Sequence, residues 1–304
     1  MNFSDRIKNV NPSMTLAIDA KAKEMKANGE DVIGFGAGEP DFNTPERIKQ
    51  AGIRAIENNE TRYTPVGGSD ALKEAIISKL QRDNGLTYEK NQILASSGAK
   101  HSFYNLAQVL WQTGDEVIIP APYWVSFPEM VTLAGASPLI IYAGAEQDFK
   151  ITPEQIDNAV TPNTKAIIIN SPSNPTGSAY DKSELEKLAE CALRHNLLII
   201  SDEIYEQIVF DGFHHTSIAS ISKEVQKQCV VINGVSKSYA MTGWRIGYIA
   251  AGDPEITKQI SKLQGQSTSN PCSVSQAASI EALAGPLDEV HEMVREFEKR
   301  RNII

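Results

Sequence analysis

The segment AIIINSPSNPTGSAYDKSELEKLAECALRHNLLIISDEIY, residues 166–205, holds the fold in miniature. Ala166–Asn170 is a nearly continuous apolar run, the pattern of a strand buried on both faces. Asp181–Arg194 then sets Leu185, Leu188, Ala189 and Ala192 at helical spacing with charges between them. Asp181 suits an N-cap, and Glu184 three residues later completes a capping box. Leu197–Asp202 is a second apolar run. Strand, helix, strand in this order predicts an α/β domain with a mainly parallel sheet.

The same alternation extends in both directions. Further strand candidates are Ile93–Ser96, Glu116–Pro120, Pro138–Tyr142, Val230–Asn233 and Ile246–Ala251, which makes a seven-stranded sheet. Helices are predicted at Pro45–Ile56, Ser69–Arg82, His101–Leu110 and Glu255–Leu263, flanking that sheet. No internal repeat or low-complexity tract interrupts the pattern.

Composition excludes several function classes. The 304 residues carry 29 Lys+Arg against 38 Asp+Glu, a net charge of −9, with no basic block. Nucleic-acid binding needs clustered cations to neutralise phosphates, so that class is set aside. A hydrophobic fraction of 41% fits a globular chain. Cys191, Cys229 and Cys272 form no C-x-x-C and no zinc spacing, so neither a disulfide framework nor a structural metal is expected. Met1–Asn11 lacks the apolar core of a signal peptide, and no run approaches the ~20 apolar residues that span a bilayer. The expectation is a soluble cytoplasmic protein that does not engage membranes.

From Asp288 to Ile304 a helical pattern runs through Val290, Met293, Val294 and Phe297 to Ile303-Ile304 without a Gly, Asn or Pro stop. The simplest expectation is that the sequence stops within an element; the alternative is an ordinary terminal helix whose isoleucines dock on the body.

In open α/β sheets ligands gather at the carboxyl ends of strands, so the residues after each strand are the candidates. Ser97-Gly98-Ala99-Lys100 precedes a helix, and its small residues would let backbone N–H groups approach an anion at the positive end of the helix dipole; a plain strand–helix turn has the same look. Ser171-Pro172-Ser173-Asn174-Pro175-Thr176-Gly177 is stiffened by two prolines, which either hold the Asn174 amide in place or simply make a rigid turn. Asp202 ends an apolar strand, where a carboxylate is costly without a partner; the neighbouring Glu203 could be a solvated charge. Gly234-Val235-Ser236-Lys237-Ser238 opens a loop that reaches Arg245. A lysine shielded from water tends to a lowered pKa and suits Schiff-base chemistry, and an arginine can clamp phosphate bidentately. Alone, Lys237 reads as a surface lysine; beside the other loops it reads as functional. His214-His215 lacks metal-binding spacing and is assigned to a surface turn. Gly34-Phe35-Gly36-Ala37-Gly38 is no dinucleotide fingerprint, and residues 234–238 miss a nucleophile elbow by one glycine.

The set resembles the fold-type I, class I aminotransferases that depend on pyridoxal 5′-phosphate, in particular the bacterial aspartate aminotransferase branch. The likeness rests on Gly36-Ala37-Gly38-Glu39-Pro40-Asp41-Phe42, Tyr123-Trp124, Asn174-Pro175-Thr176-Gly177, Asp202-Glu203-Ile204-Tyr205, and Ser236-Lys237 through Arg245-Ile246-Gly247, in that order, and runs from about Ser13 to the end. The resemblance implies that Lys237 holds the cofactor as an imine and shuttles the proton at substrate Cα, and that Asp202 pairs with the ring nitrogen. It implies that Tyr205 and Asn174 bond the ring's phenolic oxygen and that Trp124 stacks on the ring. The phosphate falls to the turn at Gly98, the backbone of Ala99 and Lys100, the Ser236 hydroxyl and Arg245. Tyr63 matches a phosphate-binding tyrosine supplied by a neighbouring subunit, which implies a homodimer with its active site at the interface. Gly38, Lys100, Trp124 and Asn174 fall near substrate. Lys100 matches a lysine associated with the side-chain carboxylate of acidic substrates, or else is a phosphate-loop lysine facing solvent.

The implied reaction is amino-group exchange between aspartate or glutamate and a 2-oxo acid such as 2-oxoglutarate or oxaloacetate. Prephenate or aromatic transamination, a C–S lyase of the same fold, and a non-catalytic cofactor-binding fragment are the alternatives. The implied organisation is residues 1–40 contributing to a small domain, 41–285 as the large cofactor domain, and 286–304 as the start of an interdomain helix. Most of the small domain, with the family's α-carboxylate arginine, has no counterpart in this sequence.

Overall fold

The computed structural model describes residues 2–36 and 38–304; Ala37, quoted within the motif 36–42, lies outside the described residues. Its strands are β1 (Ile93–Ser96), β2 (Glu116–Ala121), β3 (Ser137–Tyr142), β4 (Thr164–Asn170), β5 (Leu198–Asp202), β6 (Cys229–Gly234) and β7 (Gly247–Ala251). They form one sheet in the order β1-β7-β6-β5-β4-β2-β3. Strands β3, β2, β4, β5 and β6 pair in parallel, with Ile168 opposite Ile200 and Ile200 opposite Val230. Strand β7 runs antiparallel to both β1 and β6. The sequence does not reveal that reversal, because the apolar content of β7 is the same in either direction.

The continuous apolar runs are explained by burial on two faces. Ile167, Ile169, Ile199 and Val231 face one core with the helices Glu46–Glu57, Asp70–Asn84, Lys182–Arg194 and Ser273–Ala284. Ile168, Ile200, Val230 and Ile232 face the other with the helices Ala99–Leu110, Ser126–Leu133 and Pro254–Gly265. Successive strand residues point to opposite faces, so a doubly covered strand has no polar phase. Asp181 caps the Lys182–Arg194 helix, and the reciprocal bonds with Glu184 are formed.

Helices Ser126–Leu133 and Ser273–Ala284 escape the sequence pattern. The second buries Ser275, Ala278, Ser279 and Ala282, small residues that allow close helix packing but leave little amphipathic contrast. Helix Asp288–Ile303 forms as expected, with Val290 and Met293 buried. Ile303 and Ile304 do not dock on the body; they are 75% and 101% exposed. Among the described residues no helix is long and apolar enough to cross a membrane.

The function-bearing feature is one sheet edge. The carboxyl ends of β1, β4, β5 and β6 reach it together. The first residue of β7 joins them, since Gly247 lies opposite both Ser96 and Gly234.

Candidate active site

At that edge Gly38, Ala99, Lys100, Trp124, Asn174, Asp202, Tyr205, Ser236, Lys237 and Arg245 line a single cavity of about 1090 Å³. Gly98 is adjacent and Tyr63 is apart, 90% exposed.

Lys237 follows β6 through a turn, and its side chain crosses the cavity to donate to the Gly38 carbonyl. Its Nζ lies 5.6 Å from the Tyr205 ring centroid. Burial lowers its pKa, with Glu39 opposing and Arg245 adding to the fall, so the amine loses its proton more readily than a surface lysine does. The Thr242 hydroxyl donates to Glu39, which ties residues 38–39 down over the lysine.

Asp202 ends β5 at 6% exposure. Burial pushes its pKa up to about 7, opposed by the Ile204 N–H bond at 3.2 Å and reinforced by Glu203. No cationic side chain forms an ion pair with it among the described residues. Tyr205 is pushed up to about 12, chiefly by burial and then by Asp202, with the Asn174 side chain opposing.

Arg245 sits against the turn at the start of the Ala99–Leu110 helix, donating to Thr242 O at 2.9 Å and to Ser97 O at 3.3 Å. Gly98 makes this approach possible. Its φ is +96°, and a Cβ there would stand 2.3 Å from the guanidinium. Gly247 does the same from β7, since a Cβ would meet the Ala99 nitrogen at 2.1 Å. The first N–H groups of the helix have no intrahelical acceptor. Lys100 is exposed, with its Nζ 5.0 Å from the Trp124 ring centroid, and partial desolvation lowers its pKa, with Arg245 adding to the fall. Trp124 is held edge-on to Phe127 at 5.2 Å.

Several residues here escaped sequence reasoning. Asn170 accepts from the Asn174 N–H at 2.7 Å and donates to Asp202 O at 3.1 Å, so it joins two site loops. A polar residue closing an isoleucine run was its signal. Arg301 reaches the cavity wall, paired with Asp211 at 2.6 and 2.8 Å; nothing in the helical pattern distinguishes it. Two assignments are corrected. Glu203 is not solvated but 1% exposed, because two serines and a histidine satisfy it. His215 is not on a surface turn, and its side chain is 9% exposed because it packs onto that carboxylate.

The donor set fits pyridoxal phosphate. One end offers a guanidinium, a hydroxyl and open helix N–H groups for a phosphate. The other offers a buried carboxylate lacking a cation, as a protonated ring nitrogen requires. A lysine with a lowered pKa stands in the same cavity.

Comparison with known proteins agrees with this geometry. The family model for aminotransferase class I and II matches residues 30–304. An aspartate aminotransferase of Bacillus sp. strain YM-2 is 58% identical over 99% of this chain and 77% of its own. An aspartate/prephenate aminotransferase of Cereibacter sphaeroides is 50% identical over 99% of this chain and 76% of its own. The solved structure of the aspartate aminotransferase from Rhizobium meliloti superposes with a TM-score of 0.96 at 43% identity, covering 100% of this chain and 76% of that one. The chain belongs to the class I and II aminotransferases, enzymes that work with pyridoxal phosphate.

Proposed function

We propose that the enzyme exchanges an amino group between aspartate or glutamate and a 2-oxo acid, 2-oxoglutarate or oxaloacetate. The convergence of Lys237, Asp202, Tyr205, Asn174 and Arg245 on one cavity carries this reading. When bound, the cofactor supplies an electron sink for the charge left at substrate Cα. Lys237 Nζ takes and returns the Cα proton, a role its lowered pKa supports. Asp202 holds the proton on the ring nitrogen. Tyr205 and Asn174 bond the ring's phenolic oxygen, and Trp124 covers a ring face. Arg245, Ser236 and the N–H groups of Ala99 and Lys100 bind the phosphate.

Lys100 supports a dicarboxylic substrate, because its ammonium, beside the Trp124 ring, shares the cavity with Lys237. Gly38, Trp124 and Asn174 then flank the substrate. The name of the Cereibacter relative favours prephenate as a second acceptor. The exposed Tyr63 supports a homodimer in which it serves the partner's phosphate site. In this reading residues 41–285 are the cofactor domain, 1–40 contribute to a small domain, and 286–304 begin the interdomain helix. Three free cysteines fit the reducing cytoplasm. The test is a coupled assay with aspartate and 2-oxoglutarate on the cofactor-loaded protein, prephenate replacing the acceptor in parallel. Absence of transamination with every acidic or aromatic donor refutes the reading.

A further inference from the structure

Between Asp202 and Glu206 the chain divides its side chains between two environments. Asp202 and Tyr205 line the cavity. Glu203 and Glu206, 1% and 6% exposed, turn away from it into a buried polar network. Glu203 accepts from the Ser201 hydroxyl at 2.7 Å and the Ser217 hydroxyl at 2.6 Å, while its second oxygen meets His215 Nε2 at 3.3 Å. Glu206 pairs with Lys79, which is 2% exposed, and accepts from Asn84 at 2.9 Å and Asn233 at 2.8 Å. Asn233 in turn accepts the Gly234 N–H at 2.7 Å, at the start of the loop that carries Lys237.

Buried carboxylates are costly unless paired and fully bonded. A chain that needed only to fill this space could use apolar residues. Glu203, Glu206 and His215 lie close enough to hold a metal, but their oxygens are already taken by hydroxyls, amides and Lys79. That leaves a mechanical and electrostatic role. We propose that Glu203 is a positioning residue for Asp202, anchored by Ser201, Ser217 and His215, and that His215 supplies the charge that balances Glu203 behind the ring-nitrogen site. This rests on the reading of Asp202 as the partner of the ring nitrogen.

The geometry makes the coupling direct, since Glu203 and Asp202 share a peptide unit. The Glu203 N–H donates to Ile232 O at 2.9 Å and its carbonyl accepts the Glu206 N–H at 3.0 Å, so the turn is pinned at each end. The Glu203 charge works against ionisation of Asp202. Burial works against a charge on His215, yet Glu203 and then Glu206 outweigh it and raise its pKa, with Lys79 opposing. Tyr88, Cys229 and Tyr248 also face Glu203, all buried and held neutral. Lys237 is the cation facing Asp202 from the cavity side. Removing the His215 charge therefore leaves Glu203 unbalanced and favours the protonated form of Asp202, which cannot hold a proton on the ring nitrogen.

The experiment follows the Asp202 carboxyl carbon by NMR across pH in cofactor-free protein labelled with carbon-13 aspartate, the signal being assigned by its loss in Asp202→Asn. Cofactor affinity is measured alongside by spectral titration. His215→Gln, which keeps a donor but no charge, is expected to move the Asp202 midpoint up by about half a pH unit or more. Glu203→Gln is expected to move it down by a similar amount, and His215→Gln is expected to weaken cofactor binding about tenfold. A purely packing role would lower stability in both variants without shifts of opposite sign. If Glu203→Gln does not fold, the His215→Gln midpoint decides alone. Midpoints and affinities at wild-type values, with Asp202→Asn inactive, overturn the proposal. An Asp202→Asn variant that binds cofactor and turns over normally overturns instead the underlying reading of Asp202.

Discussion

Raising the pH should destabilise the cofactor-free enzyme through Asp202. Burial lifts this carboxyl from 3.8 to about 7 in the folded chain, so the folded state binds the proton more tightly than the unfolded one does. Below the unfolded value both states are protonated and the group contributes nothing. Between the two values the unfolded chain ionises while the folded one does not, and stability falls by up to about 1.4 kcal/mol per pH unit. Above the folded value the full difference is present, roughly 3 units or about 4 kcal/mol. Asp202→Asn keeps the shape and removes the ionisation. Chemical unfolding of wild type and variant at matched concentration, without cofactor, should show the variant's advantage growing by about 2–3 kcal/mol from about pH 5 to about pH 8. Cofactor loading should shrink that advantage, because under the proposed pairing a protonated ring nitrogen would give the carboxylate its missing cation. An advantage that changes by less than about 1 kcal/mol over this range would mean that Asp202 is already ionised in the free protein. The electrostatic argument for its role would then fail.

Lys237→Ala should lower kcat by at least about 10²-fold, the lower range for a positioned acid–base group, while phosphate-dependent cofactor binding persists in spectral titration. Arg245→Gln should weaken cofactor binding by about 10- to 150-fold, equivalent to about 1.5–3 kcal/mol for a charged hydrogen bond, as measured by reconstitution of the cofactor-free protein. Lys100→Leu should raise KM for aspartate by about tenfold or more and leave an aromatic donor little changed. Equal loss for both donors would assign Lys100 to the phosphate instead.

How far the molecule is legible in its sequence follows from where chemistry forces unusual residues. Strands β4 and β5 are plain in the text because double burial leaves no polar phase, and their ends are plain because Asn170 and Asp202 break that run. Asp202 could be singled out since a carboxylate closing an apolar strand demands a partner. The support behind it could not. Lys79 and Asn84 on one helix, Ser217 and Asn233 are ordinary residues remote in the chain from Glu203 or Glu206, and only the fold gathers them around those carboxylates. The same limit hid the reversal of β7, yet that reversal matters. It brings Gly247 against Ala99 and lets Arg245 lie on the turn after β1, while Asp202 stands at the end of β5, with β7 and β6 between them in the sheet. Lys237, on the loop after β6, falls between these poles. A chain with net charge −9 thus sets the Arg245 guanidinium towards one end of a cavity and a cation-seeking carboxylate towards the other. A ligand with a phosphate at one end and a basic ring nitrogen at the other would satisfy both poles in one orientation, with Lys237 between them.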